Sequence, residues 1–178
     1  SEAGGFGCMG ASTMGHPEMV AEIAKVRELT QKPFGVDLLT AAPQDLEAKV
    51  NDIIDGGATV FVAGLGIPRD VVELCHRRNV LVVNMCGKVR HAISAVEAGC
   101  DIVVAQGTEA GGHTGQIATM ALVPQIVDAV DGKVPVVAAG GLYDGRGLAA
   151  ALTLGAEGVW VGTRFIATYE AQAVPGYK

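Results

Sequence analysis

Short apolar runs recur along the chain, each at the end of an amphipathic stretch, and this recurrence predicts most of its elements. Three junctions are nearly superimposable: Gly57-Ala58-Thr59-Val60-Phe61-Val62, Gly99-Cys100-Asp101-Ile102-Val103-Val104 and Gly155-Ala156-Glu157-Gly158-Val159-Trp160-Val161. In each, a glycine supplies the left-handed backbone conformation that ends a helix. The residues after it are apolar without polar alternation, as expected of strands covered on both faces. Such strands are expected to start near Phe34, Thr59, Val80, Asp101, Val134 and Gly158. Between them apolar residues return at helical spacing: Val20, Ile23 and Val26; Leu46, Val50 and Ile53; Val89, Ile93 and Val96; Val123, Ile126 and Val130. Pro17, Pro43 and Pro68 are placed in the first turns of these helices, where a missing N–H is tolerated.

Strand and helix thus alternate without a linker, and residues 1–178 read as one domain of β/α units joined by right-handed crossovers. Whether they form a barrel or an open sheet is decided by the residues at the strand ends. Asp37, Gln106 to His113, Ala139 to Gly141, and Gly162-Thr163 follow several strands in succession. A barrel gathers such ends around one mouth, whereas an open sheet spreads them along an edge and binds mainly at a switch point. The expected fold is therefore α/β, a (β/α)8 TIM barrel. Six full strands do not close eight, and such barrels typically need about 250 residues. An incomplete barrel is predicted, lacking one to two strands before Ser1 and one or more segments after Lys178.

Composition supports this picture. The 178 residues are 49% hydrophobic but only 4% aromatic, with 25 glycines, which suits short Val/Ala/Ile strands and tight turns. A formal net charge of -6 without a basic block argues against nucleic acid and anionic membranes as partners. No uncharged apolar run approaches the roughly 20 residues of a spanning helix. Cys8, Cys75, Cys86 and Cys100 form no C-x-x-C pair and no metal spacing, so they read as reduced thiols of a cytoplasmic protein. The expected partner is a small-molecule substrate, and a homo-oligomer is compatible with the sequence.

The chemistry concentrates in Gln106-Gly107-Thr108-Glu109-Ala110-Gly111-Gly112-His113-Thr114-Gly115, which follows the apolar run Asp101 to Ala105. Its glycines let a backbone approach a flat or anionic ligand closely. Its histidine is the side chain best suited to moving protons near neutral pH. Glu109 is expected to steady this loop, by accepting backbone hydrogen bonds or by pairing with Arg146. Val136 to Gly141 ends one strand in a glycine pair, and Val159 to Phe165 ends the next in Gly162-Thr163. Backbone N–H groups there, with the Thr163 hydroxyl, suit a phosphate. Gly5-Phe6-Gly7-Cys8-Met9-Gly10 matches G-x-G-x-x-G, but the helix start near Gly15 and Pro17 lies well beyond the third glycine. Asp37 also comes later than the roughly 20 residues that fingerprint uses. The segment reads instead as a glycine-rich strand-to-helix loop at the barrel mouth. Asp144 is expected to cap a helix from Gly145, and His16, His76 and His91 to be exposed or capping.

Glu109 to Gly115, Ala138 to Gly147, and Gly155-Ala156 through Phe165 together resemble the nitronate monooxygenase family, formerly called 2-nitropropane dioxygenases. Lys32 to Asp37 and Gly4 to Gly7 fit as well. The flavin-dependent enoyl-acyl-carrier-protein reductases share the pattern. The resemblance implies an FMN-binding barrel enzyme, a flavin-dependent oxidoreductase. Carried over by position, Ala139, Gly140, Gly141, Gly162 and Thr163 would hold the FMN phosphate. Gln106, Gly111 and Gly112 would line the flavin and ribityl chain, Asp37 would face the isoalloxazine edge, and His113 would be catalytic. Two departures stand out: Asp37 where many relatives carry asparagine, and Met85 where some carry a flavin-contacting lysine. Three functions follow as expectations. The first is FMN-dependent oxidation of alkyl nitronates or nitroalkanes by oxygen to a carbonyl compound and nitrite. The second is NAD(P)H-dependent enoyl reduction on the same flavin. The third, of another class, is a flavin-free phosphate-binding barrel or an inactive remnant.

Overall fold

The computed structural model describes residues 1–171 and 176. The chain separates into two units, residues 1–85 with 97–102, and residues 86–96 with 103–178.

In the first unit, strands β1 (Gly7–Gly10), β2 (Phe34–Leu39), β3 (Val60–Gly64) and β4 (Leu81–Cys86) alternate with helices α1 (His16–Leu29), α2 (Leu46–Asp55) and α3 (Arg69–Arg77). The strands lie side by side in chain order, and each pairs parallel with the next. Gly10, Asp37 and Val62 are in register. Val36, Leu38, Phe61, Val62 and Val82 of the strands and Met19, Ile23, Val50 and Ile53 of the helices form the core, all within 1% of complete burial. The second unit carries most of α4 (Val89–Ala98), then β5 (Ile102–Gln106), α5 (Thr119–Val130), β6 (Val136–Ala139), α6 (Gly145–Thr153), β7 (Gly158–Trp160) and α7 (Thr163–Ile166). Here too β5, β6 and β7 are parallel and sequential, with Gln106, Ala139 and Trp160 in register. Val103, Val104 and Ala105 are buried with Leu122, Val123 and Ile126 of α5. A doubly wound sheet would reverse its order; sequential parallel strands, one helix apiece, are the pattern of a (β/α)8 barrel. Seven strands are present among the described residues, so the barrel is incomplete.

The junction glycines behave as the repeat predicts: Gly57, Gly99 and Gly155 have φ of 90°, 99° and 92°, and Asn79 plays the same part after α3 at 56°. Three expectations are corrected. Gly7–Gly10 is a strand, raising the count from six to seven, although glycine is a poor strand former. Its ladder with Phe34 to Asp37 supplies what propensity withholds, and Gly35 leaves room for the Phe6 ring, 3.1 Å from where a Cβ would stand. Pro43 lies before α2 rather than in its first turn, because Asp45 caps the helix by accepting from Ala48 N at 3.1 Å. The buried stripes of α1 and α4 also shift. Met19 and Ile23 face inward while Val20 is 44% exposed, and α4 buries Ala92 and Ala95 while Ile93 is 42% exposed. In α4 the buried positions are small alanines, so reading only bulky residues picks the wrong face.

The histidines outside the loop, His16, His76 and His91, are exposed, as expected. His16, at the start of α1, bonds Asp52 of α2, and His76 lies 2.9 Å from Asp101, which also accepts the Val82 N–H at 2.7 Å. Cys8, Cys75 and Cys100 are free thiols. Among the described residues no helix is long and apolar enough to cross a membrane.

Candidate active site

In the first unit, β1 and β2 place Gly10 and Asp37 side by side at their carboxyl ends, and the Asp37 carbonyl accepts from Ala11 N at 2.9 Å. Burial raises the Asp37 carboxyl from its ordinary value to about 6. Its own burial and then Asp37 push the neighbouring Cys8 thiol up to about 12, so that thiol is not an activated nucleophile. Between the unfolded carboxyl value and about 6 the folded state holds the extra proton. Stability is therefore full below the unfolded value and is lost as pH rises through about 6, by an amount on the order of 2 kcal/mol. Urea unfolding of Asp37→Asn is expected to lack this loss between pH 4 and 7 (roughly the titration window); a native-like pH slope in the variant would refute the assignment. Met85 lies in β4, half-buried.

In the second unit, the loop after β5 folds back on its neighbours. Gly107 N donates to Ala139 O at 2.9 Å, continuing the β5–β6 ladder, and Ala110 N closes a turn onto Gly107 O at 3.1 Å. Thr108 N reaches Ile117 O at 2.9 Å, so the loop returns to its own base before α5 begins. Gln106 Nε2 donates to Gly111 O at 3.4 Å. Glu109 accepts from Thr119 N, at 2.9 Å and 3.2 Å from its two oxygens, and from Thr119 Oγ1 at 2.9 Å. Of the two roles expected for Glu109, backbone support is therefore the one seen. Arg146 turns instead to Asp144, which caps α6 by accepting from Arg146 N at 3.0 Å. Thr119 is a residue the sequence reading did not single out; a hydroxyl residue at a helix start was the available signal.

This loop touches both proposed phosphate-binding turns. A Cβ on Gly141 would stand 3.3 Å from Glu109 Cβ, and one on Gly140 would stand 3.1 Å from Ala110 N. A Cβ on Gly111 would meet Thr163 Oγ1 at 3.4 Å. Gly140 and Gly141 have φ of 108° and 69°, a turn that side chains rarely allow. Gln106, Ala139 to Gly141, Gly111 and Thr163 are thus brought together within one unit. Gly112 and His113 extend from the same loop and are exposed, as are Gly162 and Thr163. Where a Cβ would stand on Gly112 or Gly162, no atom lies within 4 Å, so a ligand can come directly against those backbones. An exposed wall of glycine backbone beside a threonine hydroxyl suits a phosphate and a flat ring, and FMN fits these residues on that ground.

Comparison with known proteins gives this geometry a family. The profile of the family described as nitronate monooxygenase matches residues 1–51 and 44–178. The chain is 42% identical, over its whole length, to half of a Rhodococcus jostii protein named (3aS,4S,5R,7aS)-5-hydroxy-7a-methyl-1-oxo-octahydro-1H-indene-4-carboxyl-CoA dehydrogenase. Among solved structures, FabK from Thermotoga maritima superposes on 98% of this chain with a TM-score of 0.90 and 37% identity, over 55% of its own length. A nitroalkane oxidase from Streptomyces ansochromogenes matches 97% of this chain with a TM-score of 0.89 and 32% identity, over 61% of its length. The chain therefore spans about half the length of these relatives. On its profile match and its superposition, the chain belongs to the nitronate monooxygenase family, a family of flavin-dependent oxidoreductases.

Proposed function

We propose that residues 1–178 are part of one FMN-binding barrel domain, and that the protein uses FMN to oxidise alkyl nitronates or nitroalkanes with oxygen, releasing a carbonyl compound and nitrite. The observation that carries this reading is the meeting, in one unit, of the Gly107–His113 loop with Gly140, Gly141 and Thr163. Ala139, Gly140, Gly141, Gly162 and Thr163 hold the phosphate through backbone N–H groups and the Thr163 hydroxyl. Gln106, Gly111 and Gly112 line the ring and ribityl chain, where a side chain at either glycine would intrude. Bound FMN supplies the electron transfer and oxygen chemistry. His113 orients the nitro group through an imidazole N–H, or takes the α-carbon proton when the substrate is a neutral nitroalkane. The reading carries with it a cytoplasmic setting and a small-molecule substrate.

A second reading has its own support. The 42% identity to a protein named as a carboxyl-CoA dehydrogenase favours a thioester in the same cradle. In the enoyl-reductase form of this reading, which runs in the reducing direction, NAD(P)H is the hydride source and His113 binds nicotinamide or substrate. One experiment separates the two. The protein is loaded with FMN and its absorbance near 450 nm (approximate for flavin, the chromophore) is followed without oxygen. Bleaching by an alkyl nitronate but not by NADH is expected; bleaching by NADH alone selects the thioester reading. A protein that takes up no FMN sinks both.

A further inference from the structure

Three segments of the second unit meet at one side chain. Thr119, the first residue of α5, is only 5% exposed, and its Oγ1 lies 2.9 Å from Glu109 Oε2, 3.0 Å from Gly140 O and 3.4 Å from Ala139 O. Its backbone N–H bonds the same Glu109 carboxylate. The two glycines that flank it leave the room it fills. A Cβ on Gly107 would come 2.0 Å from Thr119 Oγ1, and one on Gly140 would come 2.7 Å from it. The single hydroxyl proton serves one acceptor at a time, and the ionised carboxylate is the stronger. Carboxylate, hydroxyl and helix N–H therefore form one latch between the loop after β5, the start of α5 and the turn after β6.

A loop this rich in glycine has little conformational preference of its own, so its shape must be imposed by contacts. Glu109 lies between the loop's root at Gly107 and its exposed Gly111, Gly112 and His113, and Thr119 at the start of α5 holds it. We propose that Thr119, acting with Glu109, is a positioning residue for the flavin site. It fixes the Gly107–His113 loop against the Gly140–Gly141 turn, so that the glycine backbones and His113 stand ready before the flavin arrives. This inference rests on the flavin reading above.

The test is FMN binding by the intact protein, read from flavin fluorescence and from the visible spectrum of the bound form. Thr119→Val, which keeps shape but removes the hydroxyl, and Glu109→Ala are each expected to weaken FMN binding about tenfold. The double variant is expected within about twofold of either single one, because both break the same contact. Thr119→Ser restores the hydroxyl and is expected within about twofold of the native protein (a small difference on the affinity scale). The proposal is overturned if Thr119→Val, with a native circular-dichroism spectrum, binds FMN as the native protein does, or if Thr119→Ser is as weak as Thr119→Val. Should Thr119→Val fail to fold, Glu109→Ala decides alone by the same tenfold or unchanged outcome. Native protein that does not bind FMN fails the flavin reading itself, a result distinct from any variant effect.

Discussion

His113→Ala is expected to lower kcat/KM for a neutral nitroalkane by about a hundredfold to ten-thousandfold, the range a positioned general base contributes. A preformed alkyl nitronate has already lost its α-proton, so its turnover is expected to fall much less, through lost orientation alone. FMN content is expected to stay native, because His113 is exposed and makes no part of the turn at Gly140 and Gly141. The comparison of the two substrates is what identifies the role. An equal fall for both would remove the base assignment and leave His113 as a binding residue. Unchanged turnover of the neutral substrate would remove it from the chemistry.

The second large effect is on the fold. Gly107→Ala would place a Cβ 2.0 Å from Thr119 Oγ1 and 2.5 Å from the Thr119 N and Cα, far inside van der Waals contact. The obstructing atoms are backbone as well as side chain. They begin α5, whose Leu122, Val123 and Ile126 are fully buried, so the helix has no room to withdraw. Gly107 itself is pinned by its N–H to Ala139 O. Overpacking of this kind is expected to destabilise by about 3 kcal/mol, which lowers Tm by roughly 6–12 °C for a chain of this size. Gly145→Ala is the matched control: no atom lies within 4 Å of its added Cβ, at the first position of α6. It is expected to be neutral or to stabilise by up to about 1 kcal/mol. Thermal unfolding of the two variants side by side checks the argument, and equal midpoints would refute it.

Much of the candidate site was legible because its requirements are local. A backbone that must approach a ligand needs glycine, and Gly111, Gly112, Gly140, Gly141 and Gly162 announce themselves at strand ends by residue type alone. Asp144 was legible as a cap for the same reason, since an Asx side chain satisfies N–H groups two and three residues on. Thr119 was not. Its importance lies in contacts with Glu109 and with Gly140, ten and twenty-one residues away. The choice between Arg146 and Thr119 as the partner of Glu109 was likewise beyond sequence spacing, because Asp144 competes for the arginine at shorter range.

By itself the amino-acid sequence determined the alternation of strand and helix, the parallel β/α class and the glycine-lined strand ends, since periodicity and backbone freedom are properties of neighbouring residues. Tertiary structure alone decided that Gly7–Gly10 is a strand, that alanines rather than isoleucine form the buried face of α4, and that a threonine joins the loop to the turn. In each of these cases the deciding energy is a contact between segments distant in the chain, with a ladder, burial against a neighbouring element or a shared carboxylate overriding what each segment prefers alone.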